Sequence, residues 1–447
     1  MSKNKKKTKK KNTGPPQALV RLSQCMIVKN EEKNIETALK WAKNIAFEQI
    51  VVDTGSTDKT VELAEKMGAK VYRFEWINDF SAAKNFAMDK AKGNWIAILD
   101  ADEYMPEKDA KELFALLKKI QSNPKHIKEY DSINCSWVHL DDAGKAFSII
   151  TQQRIFQNRP DLRYKRSIHE TIMLKNKSYR AEHLKIMHTG YAQTAYSAAG
   201  KRERNIKLLK IELERDPANP TTMLYLADSI KAGGTEEAYA EAESLYLQAL
   251  ASKKPAEPVI KRLAYDFLIQ RFSKNNEKTK EAVELCTKAL TELPNNMDYY
   301  YYRALLNNKL GDFGRALEDL QKCEQLFINA ATVPETRVLM PYPTLLYYQL
   351  SVSAKGLGDE QGCVNYTTVL NTMLKEGKNQ SKVLGPYLVV LFLEGKTGTE
   401  VFETLSDVYD VNDPQDLMLI ARAAKEYGAI LFAKTIMEMI SSKLGHQ

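Results

Sequence analysis

Trp95-Ile96-Ala97-Ile98-Leu99-Asp100-Ala101-Asp102-Glu103 sets five apolar residues directly before three carboxylates. So short an apolar run, closed by acids, reads as a buried β-strand. Strand alternation predicts Asp100 and Asp102 on one side, at the end of that strand. In a parallel sheet this is the edge where ligands bind. Two oxygen donors there suit Mg²⁺ or Mn²⁺ held against a diphosphate, with water and phosphate completing the shell. Such an ion takes up the charge that develops on a departing group. An acidic turn or a helix cap gives the same letters, so the weight of Asp-x-Asp depends on the pattern around it.

Upstream, the pattern predicts strands at 23–28, 49–52 and 71–74, and helices at 35–44, 57–67 and 81–91. Ile35, Ala38, Leu39 and Ala42 share one face of the first helix. Strands alternating with helices of this length imply βαβ units and a parallel sheet. The second strand ends in Val52-Asp53-Thr54-Gly55-Ser56-Thr57-Asp58. Gly55 permits a tight turn and Ser56 or Thr57 suits a helix cap. Asp53, a carboxylate at a strand end, suits hydrogen bonds from a base or ribose. Downstream, less regular strands are expected at 132–138, 147–156 and 183–188, forming an acceptor half of the same domain.

These motifs together resemble family 2 glycosyltransferases of the GT-A fold. The marks are Lys29-Asn30-Glu31-Glu32 after the first strand, the Asp53 to Asp58 turn, Asn78-Asp79-Phe80-Ser81-Ala82-Ala83-Lys84-Asn85, and Asp100-Ala101-Asp102. The resemblance implies a nucleotide-sugar site in which Asp53 and Lys84 contact uracil or ribose, with Glu31 near them. It further implies that Asp100, Ala101 and Asp102 serve the sugar-diphosphate and the metal. Tyr164-Lys165-Arg166-Ser167-Ile168-His169-Glu170 and Ile186-Met187-His188-Thr189-Gly190-Tyr191 look like two later motifs of sublancin-type peptide S-glycosyltransferases. Arg204-Asn205 fits the same pattern. A Gly usual shortly before the His-Glu pair is replaced here by Lys165 or Arg166. Chemically, His188 suits a further metal ligand as a neutral imidazole. An inverting transfer needs a base within reach of the acceptor proton, and Glu170 and His169 are the candidates, Glu170 preferred. A salt bridge from Glu170 to Arg154 or Arg166 is the structural alternative.

The remaining composition bounds the reading. The 447 residues exceed one ordinary core, so two or three domains are expected. Formal charge is +8, but seven lysines lie in the first eleven residues, so the rest is near neutral and no nucleic-acid surface is implied. Residues 1–20 read as a disordered Lys-rich tail, 21–215 as the GT-A domain and 216–447 as a helical region. No apolar run is long enough to span a membrane, and the five scattered cysteines read as buried and reduced in a cytoplasmic protein.

The helical region repeats. Ala282, Cys286 and Ala289 recur as Ala316, Leu320 and Cys323, 34 residues on, the tetratricopeptide period. Leu310-Gly311-Asp312 recurs as Leu357-Gly358-Asp359, and Ala242, Tyr246 and Ala249 suggest an earlier copy. Tyr299 to Tyr302 cannot all face one core, so some are expected to be exposed. The fold expected is thus α/β, a GT-A (Rossmann-like) domain followed by an all-α tetratricopeptide-like domain. The function expected is transfer of a sugar, glucose or N-acetylglucosamine, from a UDP-sugar to Ser, Thr or Cys of a peptide or protein, with Mn²⁺ or Mg²⁺. The helical region would bind that acceptor or a second subunit. Transfer onto a polysaccharide or lipid-linked glycan, or a non-catalytic repeat scaffold, stays open at this level.

Overall fold

A computed structural model describes residues 19–189, 195–329, 343–377 and 381–444. The Lys-rich segment, apart from its last two residues, and the Gly190-Tyr191 pair lie outside the described residues. The chain divides into two compact units, 1–234 and 235–447.

The first unit runs β1(Leu22–Val28), α1(Ile35–Lys40), β2(Glu48–Asp53), α2(Thr60–Lys66), β3(Lys70–Arg73), α3(Phe80–Lys90), β4(Trp95–Ile98), β5(Glu103–Tyr104), α4(Glu107–Gln121), α5(Pro124–Glu129), β6(Tyr130–Leu140), β7(Ala146–Gln157), β8(Tyr164–Lys165), β9(Thr171–Ile172), β10(Lys177–His188), α6(Ala195–Arg215) and α7(Pro220–Lys231). Eight strands form one sheet in the order β3-β2-β1-β4-β7-β6-β10-β5. The first four are parallel, as the βαβ pattern implies. Beyond β4 the sheet is mixed, because β6 and β7 are joined by a short turn that only antiparallel neighbours allow.

β4 sits at the centre and is buried on both faces. Trp95, Ala97 and Leu99 pack into one core with Ala110, Leu113, Leu117 and Ile120 of α4. Ile96 and Ile98 pack into the other with Ala87 and Met88 of α3. The run of apolar residues at 95–99 is therefore continuous because each face needs its own set.

The division between units falls after Gly234 rather than at the 216–220 break. The chain turns back there, α6 and α7 pack against each other, and Arg202 Nη1 donates to the Ala232 carbonyl at 3.1 Å.

The second unit runs α8(Glu236–Ala251), α9(Pro258–Ser273), α10(Thr279–Glu292), α11(Met297–Lys309), α12(Phe313–Ile328), α13(Pro343–Gly356), α14(Glu360–Glu376), α15(Ser381–Leu393), α16(Gly398–Ser406), α17(Pro414–Glu426) and α18(Ile430–Leu444). The repeat register is real: Ala242, Tyr246 and Ala249, then Ala282, Cys286 and Ala289, then Ala316, Leu320 and Cys323 are all buried. Gly311 and Gly358 both have left-handed backbones, φ 79° and 73°. Each is followed by an aspartate whose carboxylate accepts the N–H three residues on, Asp312 from Arg315 and Asp359 from Gly362. The expectation for the tyrosines needs correction. Tyr299 and Tyr301 are buried, Tyr300 and Tyr302 are half-buried against the core, and Tyr299 donates its hydroxyl to Asp266 at 2.7 Å. Helices α10, α12 and α13 all pack against α11, so tyrosines on more than one of its sides are covered. All five cysteines are free, four of them buried, and no described helix is long and apolar enough to cross a membrane.

The turn into β4 depends on Gly93. Its N–H donates to Ser23 Oγ at 2.9 Å, and a Cβ there would press on the Arg21 carbonyl and lie 2.6 Å from Ser23 Oγ. Gly93→Ala is expected to cost about 1–3 kcal/mol of folding stability by overpacking, measured by urea denaturation.

Candidate active site

The carboxyl ends of β1, β2 and β4 form one edge. Asn30, just past β1, takes φ 57°, a left-handed geometry that Asn tolerates. It accepts Thr57 N–H at 2.8 Å on its side chain and donates its own N–H to Ser56 Oγ at 2.9 Å. Ser56 and Thr57 therefore tie two loops together and do not cap a helix. α2 starts only at Thr60, whose N–H donates to Asp58 Oδ1 at 3.0 Å. Asp53 does end β2, but its buried carboxylate accepts Ser56 N–H at 3.0 Å and Gly55 N–H at 3.3 Å. It shapes the turn and is not among the residues lining the cleft described below.

β4 ends at Ile98, so a turn, not strand alternation, sets Asp100 and Asp102, and the two diverge. Asp100 N–H donates to Glu103 Oε2 at 2.9 Å. The Asp100 carboxylate lies 3.4 Å from Lys84 Nζ and 3.1 Å from Arg154 Nη2. Arg154 also holds the buried Glu103 at 2.5 Å, and Lys84 holds Glu170 at 2.5 Å. Burial alone would raise the Asp100 carboxyl, but Lys84 and then Arg154 outweigh it and hold it well below the usual carboxylate range. Burial likewise works against charge on Lys84, and Asp100 and Glu170 outweigh it and raise the ammonium above the usual lysine range. Lys84, expected at uracil or ribose, is instead 5% exposed and spent on two carboxylates. Asp100, expected on a metal, faces two cations. Glu170 makes a salt bridge, but with Lys84 rather than Arg154 or Arg166.

Asp102 is left for other work. Its Oδ2 lies 3.4 Å from His188 Nε2, and His188 Nδ1 lies 3.0 Å from His139 Nδ1. Among the described residues no three or more His, Cys, Asp or Glu side chains form a metal cluster. A two-donor site still fits. Ligands about 2.1 Å from one ion and at right angles stand about 3 Å apart. Asp102 and His188 match a carboxylate–imidazole pair, leaving the other positions to phosphate and water.

These groups line a cleft of about 500 Å³, with Lys29, Glu31, Lys84, Asp100, Ala101, Asp102, His169, Glu170 and His188 on its walls. Burial pushes the Glu31 carboxyl up, Asn34 opposing and Asp102 adding to the rise. His169 stacks on Tyr225 of α7 at 3.9 Å, and burial, then Arg166, lowers its pKa. Its Nε2 is buried without a hydrogen-bond partner. Arg166 has φ 78°, the geometry that a glycine takes without cost, which accounts for the Gly usual in this stretch. Its guanidinium lies 5.1 Å from the Tyr225 ring and 3.4 Å from Glu212. Trp76 and Phe80 meet edge to face at 4.8 Å on another wall, with Arg204 over Phe80. Sequence reasoning did not single out Trp76, Trp137 or His139, and named Arg154 only as a salt-bridge partner. For Trp137 and His139 the signal was the parity of β6, which puts both on one face; Arg154 stands at an irregularity of the β6–β7 register, which parity does not predict.

Residues 23–172 match Glycosyl transferase family 2. The chain is 32% identical over 155 residues to a TPR repeat-containing protein of Synechococcus elongatus, covering 35% of this chain and 36% of that protein. It is 27% identical over 205 residues to the SPbeta prophage-derived glycosyltransferase SunS of Bacillus subtilis, covering 45% of this chain and 47% of that protein. The chain thus spans about a third to a half of the length of these curated relatives. Among solved structures, S. aureus TarS 1–349 is 14% identical, covers 80% of this chain and 92% of its own, and has a TM-score of 0.28.

Lys84→Met would leave Asp100 and Glu170 short of a cation. Removing one partner of a buried pair costs about 3–5 kcal/mol. Asp100 is 39% exposed, which screens part of this, so a loss of at least about 2 kcal/mol is expected in chemical denaturation.

Proposed function

We propose that this chain, whose residues 23–172 are a family 2 glycosyltransferase domain, moves glucose or N-acetylglucosamine from a UDP-sugar onto Ser, Thr or Cys of a peptide or protein. The observation that carries the reading is the Asp102–His188 pair, 3.4 Å apart, facing a cleft at the carboxyl ends of β1 and β4. The peptide acceptor rests on the later motifs around Glu170 and His188, and the likeness to a Bacillus glycosyltransferase supports the reaction class.

The reaction inverts the anomeric carbon. The bond from C1 to the diphosphate oxygen breaks, and its electron pair stays on the diphosphate. The acceptor oxygen or sulfur bonds to C1 from the opposite side, and its proton passes to a base. Mn²⁺ or Mg²⁺ held by Asp102 and His188 would neutralise the departing diphosphate. Glu170 is the base, aimed by its ion pair to Lys84. His169, a neutral imidazole with a bare Nε2 on the same wall, is the other candidate. Glu31, a carboxyl raised by burial, stands at the donor end with Lys29. The helical unit holds the acceptor, as repeat arrays commonly hold peptides.

Mass spectrometry of the protein incubated with a panel of UDP-sugars and polypeptides tests the reading; a mass increase of one hexose or N-acetylhexosamine is expected. Chelator should abolish transfer and Mn²⁺ restore it, while full activity in chelator would remove the metal from the scheme. Asp102→Asn should lower kcat/KM by roughly two to three orders of magnitude, the size seen when one group stabilising transition-state charge is lost.

A further inference from the structure

His139 has no part in the scheme above, yet it is buried beside the residue that matters most to it. β6 and β10 run parallel with His139 opposite His188. The two imidazoles stand nearly perpendicular, centroids 5.1 Å apart, with Nδ1 facing Nδ1 at 3.0 Å. Trp137 lies against both rings, at 4.3 Å and 4.8 Å, and limits their rotation.

Two nitrogens at this distance share one hydrogen, so one ring donates and the other accepts. If His139 donated, neutral His188 would carry its hydrogen on Nε2, towards Asp102. That nitrogen would then be closed to a cation. If His188 donates, its Nε2 carries no hydrogen and faces the carboxylate across 3.4 Å. Two acceptors so placed repel unless a cation stands between them.

We propose that His139 is a positioning residue: by accepting at Nδ1 it selects the His188 tautomer whose Nε2 carries no hydrogen and turns that nitrogen to a divalent cation shared with Asp102. The proposal rests on the metal reading above. A ligating histidine generally has its other ring nitrogen anchored in this way, and loss of the anchor weakens metal binding about ten- to a hundredfold.

The test is Mn²⁺ affinity of the full chain, by electron paramagnetic resonance with UDP present. His139→Phe keeps a ring beside Trp137 but removes the acceptor, and His139→Asn restores an oxygen near the place of Nδ1. Mn²⁺ binding should weaken about ten- to a hundredfold in His139→Phe and stay within about threefold of wild type in His139→Asn. In ¹⁵N-histidine-labelled protein with Mg²⁺ and UDP, His188 should carry its hydrogen on Nδ1. Wild-type affinity in His139→Phe would overturn the proposal. So would equal losses in both variants, which would make the role one of packing alone. Metal binding that is lost in His188→Ala but kept in His139→Phe would sink the proposal and leave the metal reading standing. No Mn²⁺ binding by the wild type would sink both.

Discussion

At the wall of the cleft, two nearly buried cations, Lys84 and Arg154, are packed among three carboxylates. Lys84 and Arg154 stand between Asp100, Glu103 and Glu170, with every contact at 3.4 Å or less. An isolated charge cannot be held in such a place, and each of these groups is tolerable only because the others are present. The constraint joins residues from α3, the turn after β4, β7 and the 166–170 loop. Positions as far apart in sequence as 84 and 170 must arrive together. The arrangement also divides the two aspartates of Asp100-Ala101-Asp102. One is neutralised by the protein itself. The other, among the described residues, meets the His188 imidazole and lines the cleft.

Much of this was legible in the residues, for a definite reason. Strands β1 to β4 lie in a parallel sheet, so they read as apolar runs, and each is followed by a polar turn where the site is built. The repeat was legible because Gly311-Asp312 and Gly358-Asp359 need a left-handed residue and then a capping carboxylate, which few other letters supply. What escaped was anything set by pairing between distant strands. Arg154 stands one residue before Ile155, which pairs with Ala97 near the end of β4, and that pairing brings its guanidinium to the Asp100 and Glu103 carboxylates. Alternation placed Asp100 and Asp102 on one side because the strand was taken to run through Leu99. One residue less of strand was enough to part them. Asp53 kept its predicted place while its carboxylate went to the turn amides, because a buried carboxylate takes the nearest donors.

The loop that delivers Glu170 shows how the site holds itself against strain. Arg166 and His169 both have left-handed backbones, at 78° and 49°. For residues with a Cβ each costs on the order of 1 kcal/mol or more. The surroundings supply the restraint. Ser167 O accepts Phe80 N–H at 2.9 Å, and Ser81 donates its hydroxyl to the Arg166 carbonyl. Above them Tyr225 stacks on His169 and lies beneath Arg166. Through this ring α7, part of the first unit, backs the His169 side of the cleft.

It follows that α3 governs both sides of the cleft. Its first turn, capped by Asp79 through Ala82 N–H, grips the 166–170 loop, and its second turn carries Lys84. Lys84 meets Glu170 from that loop and Asp100 from the turn after β4, so one helix fixes the distance between the candidate base and the acidic turn. In the transfer proposed above that distance matters, because the base and the departing diphosphate would lie on opposite sides of the anomeric carbon. The Lys84 ammonium is on the cleft wall and meets two carboxylates of the protein itself. Lys29 and Glu31, at the end of β1, stand on the walls of the same cleft as Lys84 and its two carboxylates.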